Sequence, residues 1–459
     1  NLLCKYLFIM DCLSKLNSIF SKIISYDFIN KNNEIHLRNY KNGINLVDAI
    51  FYRFKYSQIR TTKETIASSI NYKNDTSFYR QSYERKDSHI SVNIYKMLLQ
   101  EIILFFNSHC KKTQKDNLFL VAVDGVNNLS NKYEVMLNMG YFDVTNGVPI
   151  DITYNSHANR NKEVKCCKEY IDAHMDDFKN AILIGDRFYF TYKLLNYLND
   201  NNLKFVIRVK GKGKNLKDFT NFRIVSCTNS HDKTFYNSKT KTTNTLTITD
   251  DYLLVTNLDK DKYSDKQILD FYRLRWDIEV FFKFIKSNFK FSHLLESDNV
   301  NHQKMYICEL IISYLLKIFS NMYTTKNNIN KTGTITKRKT NKKVECTIKI
   351  NESNLLAGIY DELLNYILSG SLTDELFEKL MKYYVKIIKN ETGRSFERVS
   401  KMPFSKWYIK KYSDKSKYQR ILSAIVEGTV DKLDKNLKIL ANKVTAINKK
   451  PIKDLKRPP

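Results

Sequence analysis

Tyr272-Arg-Leu-Arg275-Trp-Asp-Ile-Glu279-Val-Phe-Phe-Lys283-Phe-Ile-Lys286 is the stretch on which the fold turns. Set on a helix at roughly 100° per residue, Tyr272, Arg275, Glu279, Lys283 and Lys286 fall within one sector of roughly 80°. Leu274, Ile278, Phe281 and Ile285 form an apolar stripe on the opposite side. The pattern predicts a helix that packs through one face and presents a carboxylate among phosphate-capable groups on the other. Ser264 followed by Gln267 marks its start as a capping box. A solvated charged face would account for Lys and Arg alone. It would not line up Tyr, Arg and Glu while keeping the large apolar side chains away.

Tyr, two residues, Arg, three residues, Glu, six residues, Lys is a specific spacing, carried here by Tyr272, Arg275, Glu279 and Lys286. It resembles the YREK signature of one large group of bacterial-type DDE transposases, and the adjoining Trp276 and Ile278 are similar to that family too. The resemblance implies an RNase H-like core in which Glu279 is the third member of an Asp-Asp-Glu triad. It demands two upstream Asp residues, each at the end of a buried strand.

Leu118-Phe-Leu-Val-Ala-Val-Asp124-Gly125 and Ala181-Ile-Leu-Ile-Gly-Asp186-Arg187-Phe-Tyr meet that demand. Short unbroken apolar runs read as strands buried on both faces. An acid at the C-terminal end of such a strand sits at the sheet rim, where open α/β sheets place their sites. Alone, a strand-end acid usually just faces solvent. The family resemblance expects Asp-Gly-(Ser/Thr) and Asp-Arg-x-(Tyr/Phe); Val126 departs from the first pattern. The gap between Asp186 and Glu279 leaves room for the β-rich insertion that the family carries there.

By this resemblance Asp124, Asp186 and Glu279 are the catalytic residues and ligands of two Mg²⁺ ions, with Mn²⁺ as a substitute. Carboxylate oxygens suit such hard cations, and paired ions serve in-line phosphoryl displacement. Tyr272, Arg275, Trp276, Lys283, Lys286 and Arg187 are the candidate DNA contacts around it, and Arg80 is one in the N-terminal region. The implied partners are double-stranded DNA, both as terminal inverted repeats and as target, and a second copy of the chain in a homodimer. The implied reaction is strand cleavage at transposon ends and 3′-OH strand transfer. A structure-specific nuclease on the same core, or a domesticated non-catalytic DNA-binding protein, stay open as alternatives.

Composition points the same way. Of 459 residues, 76 are Lys or Arg against 48 Asp or Glu, a net charge of +28. That excess favours a polyanion, nucleic acid or an anionic membrane surface, although the wealth of Asn, Lys, Ile and Tyr also fits an AT-rich genome. Hydrophobic content of 42% allows real cores. The eight cysteines include no CxxC pair and the eight histidines no ligand spacing, so zinc is not expected. Scattered thiols suit a reducing, intracellular, DNA-associated location, in cytoplasm and nucleoid or in a nucleus. Lys5, Asp11, Lys15 and Lys22 break the apolar run from Leu2 to Ile24, so neither a membrane span nor a secretory leader is expected there. The chain opens on Asn1 rather than Met, as expected where the true N-terminus is missing.

The expected fold class is α/β, an RNase H-like mixed sheet flanked by helical regions. Residues 1–112 read as helical and DNA-end-binding, or as plain solvated helices, with amphipathic segments at Leu46–Phe54, Thr62–Ile70 and Val92–Phe106. Between these, Tyr79-Arg80-Gln-Ser-Tyr83-Glu-Arg85-Lys86 mixes aromatic and basic residues. Residues 113–322 form the catalytic core with a β insertion at about 211–252. Gly211-Lys-Gly213-Lys214 reads as a turn, since it lacks phosphate-loop spacing. Residues 323–349 read as a basic linker, with Lys331, Lys337, Arg338, Lys339, Lys342 and Lys343. Residues 350–459 read as helical, through Leu355–Leu368, Asp374–Ile388 and Tyr418–Ala446.

Overall fold

The computed structural model describes residues 2–38, 43–58, 61–110, 118–130, 135–154, 163–210, 222–227, 230–237, 242–249, 252–290, 293–294, 299–327, 329, 332–336, 341 and 343–391. The 211–214 turn, most of the basic residues expected in the linker and the Tyr418–Ala446 helix lie outside them. The chain divides into two compact units, Asn1–Asn131 with Met136–Arg394, and Lys132–Val135 with Ser395–Pro459. Apart from Val135, the elements below belong to the first.

Helices come first: α1 (Leu2–Ile23), α2 (Tyr26–Asn32), α3 (Leu46–Ser57), α4 (Lys63–Asn74), α5 (Arg80–Ser88) and α6 (Val92–His109). Ser25, Asn45, Thr62 and Ser91 start α2, α3, α4 and α6 by accepting a backbone N–H that the first turn leaves unpaired. The apolar run near the N-terminus is a core helix face, with Leu13, Leu16, Phe20 and Ile23 buried.

The sheet follows. Its strands are β1 (Phe119–Ser130), β2 (Val135–Asp143), β3 (Val148–Tyr154), β4 (Ala181–Gly185), β5 (Lys204–Arg208), β6 (Arg223–Cys227) and β9 (Tyr252–Thr256). Helices α7 (Glu163–Ala173) and α8 (Met175–Lys179) precede β4, and α9 (Tyr192–Asp200) precedes β5. The order across the sheet is β3-β2-β1-β4-β5-β9-β6, with β10 (His293–Leu294) paired to β1. Strands β1, β4 and β5 are parallel, and β9 is antiparallel to β5. This is the mixed, RNase H-like α/β arrangement that the sequence predicts. The insertion supplies β6 to the sheet edge and a separate hairpin, β7 (Ser230–Asn237) with β8 (Thr242–Thr249).

Alternation of side chains divides the core. Val121, Val123, Leu183 and Ile207 pack with α7, α8 and α9 on one face. Leu120, Ala122, Ile182, Ile184 and Val206 face the other way, into a cluster that runs from Cys12 to Met381. That face is covered by α10 (Asp265–Leu274), α11 (Trp276–Asn288) and α12 (Asn299–Lys326), and α12 in turn packs against α1, α3 and α6. Among the described helices α12 is long and apolar enough to cross a membrane, but 83% of its most apolar window is buried inside the protein, as in a core helix.

The expected boundaries at 112 and 322 therefore do not separate independent cores. The N-terminal helices bury their apolar stripes against α12 and, for α1 and α3, also against helices of the C-terminal region. The expected linker also differs: β11 (Thr332–Thr336) and β12 (Lys343–Ile350) form a three-stranded antiparallel sheet with β13 (Ile387–Glu391). Its Thr and Ile residues favour strand pairing once a partner is present. In the C-terminal region, α13 (Glu352–Gly358) passes through a π-helical turn (Ile359–Leu363) into α14 (Leu364–Leu368). The next helix, α15 (Asp374–Tyr384), stops short of the expected Ile388, because Ile387 and Ile388 pair with Ile350 and Lys349.

Candidate active site

Register brings the first two acids together. Ala122 on β1 stands opposite Ile184 on β4, and Ile184 opposite Val206 on β5. Asp124, Asp186 and Arg208 each lie two residues beyond these paired positions, toward the same end of three adjacent strands. Adjacent strands are about 4.8 Å apart, and the Asp186 charge bears on Asp124. Asp124 lies within β1 rather than at its end, since that strand continues to Ser130. Asp186 follows the last residue of β4, and its Oδ1 accepts the Phe188 N–H at 2.7 Å, which fixes the turn into the next helix.

Glycines let other elements close on this row. A side chain at Gly125 would strike the Glu163 carboxylate, 2.7 Å from the ideal Cβ position. On β2, a side chain at Gly140 would overlap the Phe282 ring of α11. Without one, α11 settles on the sheet through Ile278, Phe281, Phe282 and Ile285, with Phe281 stacked on Phe142 at 4.9 Å. Glu279 emerges from that helix over β1. Val126, where the family resemblance expects a small hydroxyl residue, is buried in the core and presents no polar group.

The signature helix is not one helix. It breaks at Arg275, between α10 and α11, where Arg275 donates to the Tyr272 carbonyl and Ile278 to that of Arg275 in three-residue turns. The capping box at Ser264 and Gln267 is present at the start of α10. The break corrects the single polar sector read from the sequence. Tyr272 is only 7% exposed, its ring 5.6 Å from that of Tyr252 and 5.9 Å from the Arg275 guanidinium. Trp276 is 43% exposed, Lys283 is exposed and Lys286 half-buried. Arg187 is exposed beside Asp186. Arg80 lies in the α5 region, where its Nη1 donates to Glu64 Oε1 at 2.5 Å.

Charge shows how closely the acids gather. Burial, with the charges of Asp186 and Glu279, pushes the Asp124 carboxyl up to about 6, against the opposing pull of Arg275. Burial disfavours the Arg275 cation, yet its bond to Glu279 and the nearby charges of Tyr272, Glu279 and Asp124 hold its pKa above the usual value. Arg275 Nη2 donates to Glu279 Oε1 at 2.5 Å. Among the described residues, no three Asp, Glu, His or Cys side chains stand close enough to hold a metal ion in this conformation. The donor set nonetheless fits a hard divalent cation in kind: carboxylate oxygens, with Asp124 partly buried and within reach of the charges of Asp186 and Glu279. Glu279 is the member turned to another partner.

Arg208 is the residue that sequence reading missed. Its guanidinium lies 4.8 Å from the Tyr252 ring and close to the Tyr272 hydroxyl. Only the β4–β5 register, absent from any local motif, places it beside Asp186. Burial raises the Tyr272 phenol pKa, with Arg275 and Arg208 opposing and Asp186 adding.

Residues 137–316 match the family model described as a transposase DDE domain. The chain carries a transposase DDE domain. The matched part of this DDE domain contains Asp186, Arg208 and the whole stretch from Tyr272 to Lys286, whereas Asp124 precedes it and enters through its register with β4. Comparison with curated proteins gave no match. A DDE domain belongs to a divalent-metal-dependent family that acts on DNA.

Proposed function

We propose that this chain is a transposase of the YREK type, which cleaves DNA strands at transposon ends and joins the resulting 3′-OH to target DNA. The observation that carries the reading is the row of Asp124, Asp186 and Arg208 with Glu279 above it, inside and beside the DDE domain. Asp124, Asp186 and Glu279 would hold the divalent cations, which when bound supply charge stabilisation for the attacking and leaving oxygens. Arg275 is the pivot: a substrate phosphate would compete with Glu279 for its guanidinium and free the carboxylate to face the two Asp residues. Arg208 and Tyr272 flank that phosphate. Trp276 offers a face for an unstacked base, while Arg187, Lys283 and Lys286 neutralise backbone charge on either side. Terminal inverted repeats and target DNA are the substrates, and a synaptic homodimer is the working form, with Mg²⁺ the expected ion and an intracellular, DNA-bound location.

The test uses a supercoiled plasmid carrying the genomic DNA that flanks the coding sequence on both sides. With Mg²⁺ the wild type should nick at the ends and give joined products, and Asp124→Asn should bind the ends but do neither. Cleavage without joining would move the assignment to a nuclease. Binding without cleavage, unchanged by Asp124→Asn, would make the chain a non-catalytic DNA-binding protein.

A further inference from the structure

A surface cleft of about 650 Å³ opens in the N-terminal helices, between α5 and a wall that includes Ile35, Leu37, Arg38 and Ile44. Its lining includes Arg38, Arg85, Lys86, His36 and His89 and, among the described residues, no Asp or Glu. Its apolar lining is Ile35, Leu37, Ile44 and Phe78, and Tyr79, 80% exposed, also borders it.

The cleft is built rather than incidental. Asn30 accepts the Leu37 N–H at 2.6 Å and donates to the Leu37 carbonyl at 3.1 Å. Asn33 donates to the His89 carbonyl at 2.6 Å and accepts the Ser91 N–H at 2.7 Å. Lys86 Nζ donates to the Arg38 carbonyl at 3.1 Å and lies 4.9 Å from the Tyr26 ring. These bonds tie the wall around Leu37 and Arg38 to the end of α5.

Charges on α5 are sorted around this opening. Asp87 is buried against Arg53. Glu84 pairs with Lys63 at 2.8 Å, and Arg80 with Glu64 at 2.5 Å. Every acid of the helix is thus matched away from the cleft, while Arg85 on α5 and Arg38 on the opposite wall are exposed with no acidic partner among the described residues. An unmatched cationic pair across a preformed, acid-free cleft is suited to an anion that spans it. The size exceeds what one small anion needs, and the aromatic edge fits sugar or base.

We infer that this cleft grips the phosphate backbone of duplex DNA, with Arg38 and Arg85 as its two phosphate contacts. The inference rests on the reading that the chain acts on DNA. It moves the N-terminal contact from Arg80, which is occupied by Glu64, to the other side of α5.

The experiment is a salt titration of binding to a short labelled duplex, read by fluorescence anisotropy on the full chain. Arg38→Ala and Arg85→Ala should each lower the magnitude of the slope of log affinity against log salt by about 0.9, and the double variant by about twice that. Arg85→Lys should keep the wild-type slope, and Arg80→Ala should leave it unchanged. If the double variant loses its melting transition, the single variants, each at an exposed side chain, carry the test. Wild-type slopes in both single variants, beside a reduced slope in Lys286→Ala, would overturn the cleft while leaving the DNA reading intact. A wild type without salt-dependent duplex binding would overturn both. Binding to phosphatidylserine vesicles that needs Arg38 and Arg85, without duplex binding, would also overturn it.

Discussion

Arg275 and Asp124 are each shaped by their neighbours more than by their own residue type. Arg275 ends one helix, begins the next and neutralises the carboxylate four residues on. Burial first, and then the charges of Asp186 and Glu279, push the Asp124 carboxyl up to about 6. The folded value lies above the unfolded value of about 3.9. Its contribution to stability is therefore full below that unfolded value and is lost as pH rises through about 6. Asp124→Asn removes this loss. Its melting temperature relative to wild type should rise between about pH 4 and about pH 7. A difference flat across that range in thermal melts would mean that the Asp124 charge is not held in the environment described.

At the scale of the element, α11 is positioned by its apolar stripe and by a missing side chain opposite it. Phe281→Ala removes a buried ring stacked on Phe142 and should destabilise the fold by about 3–5 kcal/mol. Gly140→Ala should cost about 1–3 kcal/mol, because the added methyl overlaps the Phe282 ring and α11 must shift to admit it. The two differ in what survives. In protein that remains folded, Phe281→Ala leaves the helix a shallower seat, whereas Gly140→Ala displaces Glu279 from the acid row. Denaturant melts give the energies. Thermal melts of each variant with and without Asp124→Asn separate the two effects: only Gly140→Ala should shrink the pH-dependent gain of the Asn substitution.

Across the whole molecule, a buried ionic cluster joins the N-terminal helices to α12. Asp87 is fully buried, with Arg53 Nε donating to its Oδ2 at 2.9 Å and Tyr95 to its Oδ1 at 2.6 Å. Lys304 of α12 donates to its backbone carbonyl at 2.7 Å, and Arg53 reaches Asn301 at 2.6 Å. Burial works against the Asp87 anion, but Arg53 and Lys304 outweigh it and hold its pKa below the ordinary value. Its stabilisation is therefore present above an unfolded value of about 3.9 and lost as pH falls through the lower folded value. Asp87→Asn strands two buried cations and should cost about 3–5 kcal/mol near neutral pH, with the penalty shrinking in acid. Glu309, also on α12, has the opposite sign. Both its carboxylate oxygens are buried without a hydrogen-bond partner among the described residues, and burial drives its pKa well above the usual value. Burial favours its neutral form, so its stabilisation is present below an unfolded value of about 4.3 and lost as pH rises through the raised one. Glu309→Met should raise the melting temperature in alkaline buffer more than in acid. Equal shifts at both would show that its carboxyl is not the group being penalised.

The sequence by itself determined the layout of the candidate site to the extent that the layout is local. Buried parallel strands announce themselves as unbroken apolar runs, so Asp186 could be placed at the end of its strand without a structure, whereas β1 runs on past Asp124 to Ser130. The capping box and the apolar stripe of α11 rest on spacings of three and four residues, which a helix enforces wherever it lies. What only the tertiary structure decided is register, phase and pairing. The β4–β5 alignment that brings Arg208 beside Asp186 depends on how two distant segments meet. Tyr272, in the last turn of α10, is buried, which the polar sector drawn from the spacing alone does not reveal. The strand from Thr332 to Thr336 forms only because Lys343–Ile350 supplies its hydrogen-bond partners, so a polar, basic stretch that reads as a linker becomes part of a sheet. The division follows from range: helix faces and caps are fixed by neighbours along the chain, whereas sheet register and charge pairing are fixed by whatever folding brings alongside.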